Sequence, residues 1–322
     1  MTGRPRAKRP SRLRRPSLKE VGISLATRHR YESRIRQFFV YLEEGRRDLP
    51  ASMEEFDRAA ADYVEHLWQV DAPESHAVEF LSAVARLVPR ARRGLPTTAF
   101  YVANWRRTVR RQRAQPLPQE VVQAMAGICF ARDLWQLGVA LLLGFVGLLR
   151  PAELLKLRVQ DVVMPHRAAE PALLILLETK SGQRQNREEK AIVGDPLVVA
   201  GLSRVVGGRP RLARLFPFSA QKLVDLLRGL LREAGFPAHN VSGYSLRRGG
   251  ATWFMLATGS MAATSVHGRW ASERTARIYV DGAMAQQARL AMTEPTRRVV
   301  RVGARLARAF LEQERVQGRR PL

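Results

Sequence analysis

Apolar residues recur at helical spacing along most of this 322-residue chain, and two prolines at alternate positions interrupt the pattern at Gln115-Pro-Leu-Pro118. A stripe spaced three and four residues apart has to bury one face of a helix, so the chain is expected to fold as packed helices. The Pro-x-Pro break removes backbone donors and stiffens the chain, which marks a boundary between two sets of helices. Before the break, Ser24 leads into a segment with Ile35, Phe38, Phe39 and Leu42 in helical register. Pro50-Ala-Ser52 offers a second helix start, with Ser52 as N-cap, Glu55 three residues on, and Phe56, Ala60, Tyr63, Val64 and Leu67 on its apolar face. Further helices are expected over 74–87 and 97–112. The aromatics here follow the apolar stripe, which assigns them to a core rather than to base stacking.

After the break, helices are expected over 119–131 and 134–148, with Pro151 at the first position of another. The clear β signal is confined to 172–179 and 189–193, separated by the polar, turn-rich Lys180-Ser-Gly-Gln-Arg-Gln-Asn186. Helix returns over 222–234, closed by Gly235-Phe-Pro237, and continues to about 293, with a last helix over 302–316. The fold class is therefore mainly α: an N-terminal helical bundle, then a mostly α domain with a small antiparallel β-hairpin sheet. The domain reading is a disordered basic arm (1–16), a helical domain (17–113), a linker (114–118), a second domain (119–296) and a basic C-terminal tail or helix (297–322). An apolar share of 46% supplies enough material for two cores.

Charge narrows the partners. Lys plus Arg number 54 against 29 Asp plus Glu, a formal charge of +25. Arginine dominates, and its planar fork pairs with phosphate oxygens two at a time, so a polyanion such as nucleic acid is the expected partner. The arm supplies Arg4, Arg6, Lys8, Arg9, Arg12, Arg14 and Arg15 with no acid. Arg106, Arg107, Arg110 and Arg111 form a basic run ahead of the prolines and are candidate DNA contacts. Cys129 is the one cysteine, which excludes an internal disulfide and a cysteine-based zinc site. The longest apolar run, 138–149, is too short to span a bilayer and ends on Arg150. No secretory pattern is expected, so the working compartment is nucleus or nucleoid.

Four short segments carry chemistry: Gly147-Leu-Leu-Arg-Pro-Ala-Glu153, Tyr244-Ser-Leu-Arg-Arg-Gly-Gly-Ala-Thr252, Gly268-Arg-Trp-Ala-Ser272 and Ile278-Tyr279. Cleaving a phosphodiester without a metal requires an in-line nucleophile, fixed positive charge for the non-bridging oxygens, and a proton donor for the leaving hydroxyl. Two arginines, a lysine in a hairpin turn and a tyrosine are side chains of those kinds. Each also has a plainer reading. Arg150 could neutralise the end of the apolar helix, Lys180 competes with Arg184 and Lys190, His239 reads as a loop residue, and Tyr279 could be a core aromatic.

Together, Arg150-Pro-Ala-Glu153, Lys180 in the hairpin turn, Tyr244-Ser-Leu-Arg247, Gly268-Arg-Trp270 and Tyr279 resemble the tyrosine recombinase (phage integrase) family. The order and spacing carry the likeness: Arg247 to Tyr279 is 32 residues and Trp270 to Tyr279 is nine. The resemblance implies an N-terminal helical core-binding domain and a catalytic domain over about 117–300. It implies that Arg150 and Arg247 clamp the scissile phosphate of double-stranded DNA, with Glu153 supporting the arginine region. Lys180 would protonate the leaving 5′-oxygen, Trp270 would donate its indole N–H, and Tyr279 would form a 3′-phosphotyrosyl bond with no metal or other cofactor. His267 is given a supporting role and Arg248 a DNA contact. Family members assemble as tetramers and pass a C-terminal segment to a neighbour; the tail after Pro295 fits that part, or packs within its own chain.

One position departs from the family. Tyr244 stands where His-x-x-Arg usually has histidine, and a phenol of ordinary pKa near 10 exchanges protons far less readily at neutral pH. Three readings stay open on sequence: an integrase of mobile-element origin, a catalytically impaired DNA-binding descendant, and a type IB topoisomerase sharing the same tyrosine chemistry.

Overall fold

The computed structural model describes residues 22–109, 112–167, 170–176, 189–238 and 240–317. The basic arm 1–16 lies outside them, as do Arg110, Arg111, Lys180 and His239. The chain divides into two compact units between Arg111 and Gln112.

The first unit consists of α1 (Leu25–Glu44), α2 (Met53–Gln69), α3 (Glu74–Leu87), the single turn α4 (Ala91–Gly94) and α5 (Pro96–Thr108). Its helix starts follow the sequence: Ser24 Oγ accepts the Thr27 N–H, and Ser52 Oγ accepts the Glu55 N–H at 3.1 Å. The Glu55 carboxylate reaches back to the Ala51 N–H at 2.8 Å, one residue ahead of the N-cap. Phe38, Tyr63 and Phe80 meet edge-on or tilted at 5.0–5.4 Å between ring centroids and form the core. Four aromatics depart from the core expectation: Phe39 faces solvent on α1, and Trp68, Phe100 and Tyr101 face solvent around an open pocket between α2 and α5. The start of α5 is held by buried Asp57, which accepts the N–H groups of Thr97 and Thr98, both at 2.9 Å, and the Thr98 hydroxyl. Burial alone raises a carboxyl pKa, but these hydrogen bonds outweigh it and hold Asp57 below its usual range. The far end stops at Thr108 rather than 112, because Val109 turns to an extended conformation.

In the second unit α6 (Gln119–Ala131), α7 (Trp135–Val146) and α8 (Pro151–Lys156) precede β1 (Val162–Val163), β2 (Ala172–Leu176) and β3 (Glu189–Val193). There follow α9 (Pro196–Val206), α10 (Ala220–Glu233), α11 (Tyr244–Thr258), α12 (Met261–His267), α13 (Glu273–Arg277), α14 (Gly282–Leu290) and α15 (Glu294–Gln317). The three strands form one antiparallel sheet in sequence order, with Ala172 opposite Val193 and Leu176 opposite Glu189. Alternation along β3 turns Glu189, Ala191 and Val193 to the same inner side. The run that is apolar on every side becomes α7, buried continuously from Leu137 to Phe145.

The segment read as a linker, 114–118, belongs to the second unit. Gln115 donates to Asn240 O, Leu117 donates to Ser245 O, and Leu117 is fully buried. Two glycines make that possible. A Cβ on Gly249 would lie 2.1 Å from Leu117 O, and one on Gly250 would lie 2.0 Å from Phe145 O. Helix α11 is thereby pressed between the 115–118 segment and the end of α7. The last helix starts eight residues earlier than the expected 302 and packs within its own chain, burying Val300, Gly303, Ala307 and Leu311. Its backbone crosses α6 so closely that a Cβ on Gly127 would meet Gly303 O at 1.9 Å.

Gly250→Ala places a methyl group against a backbone carbonyl that cannot move without shifting α7. It is expected to destabilise the second unit by about 2–3 kcal/mol or more, read as a lower denaturant midpoint in urea titration.

Candidate active site

The site is built on an unfinished helix end. Helix α7 stops at Val146; the N–H groups of Gly147, Leu148 and Leu149 close back on Leu143, Phe145 and Gly144, which leaves the carbonyls of Val146, Gly147 and Leu148 to donors from elsewhere. The chain then turns through Leu148 in the left-handed region, at φ 44°. Distant side chains supply the missing donors. His267 Nε2 bonds to Val146 O at 2.7 Å, and Arg269 Nη1 donates to Gly147 O at 3.1 Å. Arg269 Nη2 donates to Leu148 O at 3.1 Å, and Arg247 Nη1 donates to the same oxygen. A carbonyl only accepts, so His267 carries its proton on Nε2. Burial lowers the His267 pKa, which keeps the ring neutral in this role. This is the place the structure gives the expected supporting histidine: it ties α12 to the end of α7.

The turn delivers Arg150 to the N-cap of α8, not to the end of α7 as a dipole cation. Glu153 holds it there. One carboxylate oxygen accepts the Arg150 backbone N–H at 2.9 Å, and the other pairs with its guanidinium. The same carboxylate accepts Arg269 Nη2 at 3.0 Å and lies 3.8 Å from Arg247 Nη1. Burial pushes the Glu153 pKa up, but Arg269, the Arg150 N–H and the Arg150 guanidinium more than offset that and hold it below the ordinary value.

Arg247 comes from the first turn of α11 and is completely buried, at 0% exposure. Besides Leu148 O it donates to Gly268 O at 2.8 Å. Its guanidinium carbon sits 4.5 Å from the Trp270 ring centroid and 5.2 Å from that of Tyr279. Burial, then the neighbouring Arg269, push its pKa down to about 10, which still leaves it protonated at neutral pH. The Trp270 and Tyr279 rings lie 4.9 Å apart, and the Trp270 indole Nε1 is buried without a hydrogen-bond partner. That indole folds back over Gly268 so tightly that a Cβ there would come within 1.9 Å of it. Tyr279 is partly buried and lies within electrostatic reach of Arg150, Arg247 and Arg248.

Arg248, expected as a DNA contact, is buried at 4% exposure with its donors turned inward. It donates to Ile278 O at 2.6 Å and pairs with Asp281 at 3.3 Å. Thr252 Oγ1 accepts the Asp281 N–H. Residues 278–281 are thus fastened to α11 from both sides of Tyr279, and Arg248 positions that tyrosine rather than reaching a ligand.

Tyr244 opens α11 and is 44% exposed. The preceding Gly243 abuts Pro151, where a Cβ would meet Cγ at 2.8 Å, so α11 starts beside the start of α8. The structure therefore brings together Arg150, Glu153, Arg247, Trp270 and Tyr279, with Tyr244 at their edge. Arg106 and Arg107 lie in the first unit, bonded to Glu74 and Asn104. Lys190, the alternative to Lys180, points outward from β3. Two members of the cluster escaped the sequence reading. Arg269 sits inside the quoted Gly268-Arg-Trp270 motif, and Glu189 places a carboxylate oxygen 3.9 Å from both Arg150 and Arg269. The period-2 register with Ala191 and Val193 was the available signal for Glu189; Arg269 had none beyond its motif. Among the described residues no His/Cys/Asp/Glu group is arranged to hold a metal, and no helix is long and apolar enough to cross a membrane.

Glu153→Gln leaves buried guanidinium groups without a counter-charge and is expected to cost about 3–5 kcal/mol of stability. Because folding depresses the Glu153 pKa, its contribution is complete above the unfolded value of 4.5 and fades as pH falls through the lower folded value. Urea titrations below pH 4.5 should show the wild type losing stability more steeply than the variant.

No family model matches the chain, and no curated protein matches it by sequence. Solved structures do match. The Tn1549 transposon integrase in complex with circular intermediate DNA aligns with a TM-score of 0.57 at 14% identity, over 84% of this chain and 95% of that one. A lambda integrase dimer bound to a COC' core site aligns with a TM-score of 0.55 at 17% identity, over 83% and 92%. A lambda integrase tetramer bound to a Holliday junction aligns at 0.51 and 17% identity, over 82% and 74%. With its helical first unit, its three-stranded sheet and the clustered Arg150, Arg247, Trp270 and Tyr279, this chain has the fold of the tyrosine recombinases.

Proposed function

We propose that this protein cleaves and rejoins double-stranded DNA through a covalent bond to Tyr279, as a recombinase or integrase. The observation that carries the reading is the gathering of Arg150, Arg247, Trp270 and Tyr279 from segments up to 129 positions apart in the sequence, around an indole N–H that has no partner among the described residues. In the reaction the Tyr279 phenol oxygen attacks phosphorus, the bond to the 5′-oxygen breaks, and a 3′-phosphotyrosyl ester forms. The phenol gives its proton to water, the leaving 5′-oxygen takes one from Lys180, and the reverse step returns both. One phosphodiester is exchanged for another, so no nucleotide is consumed and the reverse attack by a 5′-hydroxyl reseals the strand. Arg150 and the Trp270 indole contact the non-bridging oxygens, and Arg247 supplies fixed charge behind the two rings. Direct contact between Arg247 and phosphate requires the 268–279 segment that covers it to shift when DNA binds.

Charge distribution supports the phosphate-binding half of this reading. Residues 22–109 hold 13 Lys/Arg against 12 Asp/Glu, whereas residues 112–322 hold 31 against 16. Backbone attraction therefore resides in the second unit and the basic arm, and the helical first unit contributes by shape and selected contacts. Assembly into dimers or tetramers on DNA follows the neighbours described above. Tail exchange in such an assembly would have to lift α15 from its Gly127–Gly303 contact. The protein acts where duplex DNA is held, in nucleus or nucleoid.

A second reading, a DNA-binding protein of the same ancestry without cleavage, is favoured by Tyr244 and by the complete burial of Arg247. A duplex nicked just beyond the scissile phosphate separates the two, because the short product diffuses away and traps the adduct. The enzyme reading expects a covalent protein–DNA species on denaturing gels that disappears in Tyr279→Phe. Tight binding by mobility shift with no such species would establish the second reading. Tyr244→His, at an exposed position with room for the ring, is expected to leave the adduct rate unchanged or raise it by up to about 10²-fold; a collapse would assign the tyrosine a task of its own.

A further inference from the structure

We infer that Arg269 is a positioning residue that offsets the Glu189 carboxylate beside Arg150, so that Arg150 meets an incoming phosphate with its charge undiminished only while Arg269 is present. The inference rests on the proposed cleavage reaction and extends it to a residue outside the expected set.

The first observation is conformational. Arg269 occupies the left-handed region at φ 57°, which residues with a side chain adopt reluctantly and which persists only where surroundings enforce it. What enforces it is the guanidinium, which bonds to Gly147 O, Leu148 O, His267 O and the Glu153 carboxylate. A glycine would hold this backbone with less strain, so the side chain itself is what the position retains.

The second observation is electrostatic. Among the described residues the cluster contains the guanidinium groups of Arg150, Arg247 and Arg269 and the carboxylates of Glu153 and Glu189. Arg248 is matched by Asp281 and adds nothing to the balance. Arg269 supplies one of the three guanidinium groups set against these two carboxylates; without it, Arg150 and Arg247 alone face Glu153 and Glu189. Glu189 sharpens the point. Its register turns it inward, and its buried Oε2 lies 3.9 Å from both Arg150 and Arg269 with no hydrogen bond of its own. It competes with an incoming phosphate for Arg150, and Arg269 offsets it. In a site shielded from water, one unit of charge alters the hold on an anion far more than it would at the surface.

The test compares wild type, Arg269→Gly, Arg269→Lys and the double variant Arg269→Gly/Glu189→Gln. Adduct formation on the nicked duplex is measured beside binding of intact duplex and the rise in melting temperature produced by inorganic phosphate. Arg269→Gly is expected to lower the adduct rate by about 100-fold, while DNA binding, which draws on many cations, changes by less than about threefold. Arg269→Lys, keeping the charge, should recover most of the rate. The double variant removes the carboxylate that Arg269 offsets and should recover at least about tenfold of the lost rate, on the scale of one electrostatic contact. The phosphate-induced rise in melting temperature should follow the same order. A role confined to tying the backbone predicts no rescue by Glu189→Gln, so a double variant no better than Arg269→Gly overturns the inference, as does wild-type cleavage by Arg269→Gly. If the wild type forms no adduct, the cleavage reading fails, and the phosphate response alone decides the charge assignment: loss in Arg269→Gly and return in the double variant uphold it, and an unchanged response refutes it.

Discussion

The second unit is organised around a buried carboxylate. Glu153 is withdrawn from water, which is costly for a charge unless it is closely paired. Arg150, Arg247 and Arg269 provide that pairing, and each comes from a different part of the chain: the turn after α7, the first turn of α11, and the residue just beyond α12. The arginines in turn need acceptors, and the open end of α7 supplies them as carbonyls. Each component thus offsets the desolvation of another, and none is satisfied alone. The catalytic geometry proposed for Arg150, Trp270 and Tyr279 follows from this arrangement, since all three are attached to segments that Glu153 and the α7 carbonyls hold together.

Much of the architecture was legible in the sequence because it is local. Helical periodicity located α2, α3, α6 and α10 to within a few residues, and Ser24 and Ser52 cap helices as read. The hairpin strands, read as 172–179 and 189–193, were visible as apolar runs on either side of a polar, turn-rich segment, and the described residues hold them over 172–176 and 189–193. Failures cluster where a long-range contact overrides a local signal. Gln115-Pro-Leu-Pro118 reads as a linker by composition, yet Leu117 is buried because Gly249 lets α11 approach its carbonyl. Arg248 reads as a phosphate contact, yet Ile278 O and Asp281 draw it inward across 30 and 33 positions. β1 spans two residues and exists only because β2 lies beside it.

The site followed the same division. Motif order and spacing singled out Arg150, Glu153, Arg247, Trp270 and Tyr279, and these do converge. Composition could not say that Arg247 would be sealed from solvent, because that depends on two aromatic rings closing over it from a segment more than 20 positions away. Nor could it separate the charges in advance of the fold: the excess lies in the half that holds the cluster and in the N-terminal arm, while residues 22–109 are almost neutral.

Burial of Arg247 carries a consequence for how such a site would work. Its Nη atoms donate to Leu148 and Gly268, and its Nε is buried with no partner. The same is true of Trp270 Nε1 and of Nε on Arg269. Unpaired buried donors are expensive to maintain, on the order of 1–3 kcal/mol each, and among the described residues most of them fall in the cluster that also contains Tyr279. A phosphate oxygen reaching the indole would relieve part of that cost and give the segment carrying Trp270 and Tyr279 a reason to move. Binding energy from remote phosphates could then be coupled to uncovering the arginine, because the covering rings and the anion make competing claims on the same cation. On the function proposed above, the closed arrangement is the resting form of the site, and a DNA phosphate is the acceptor that the indole meets when it opens.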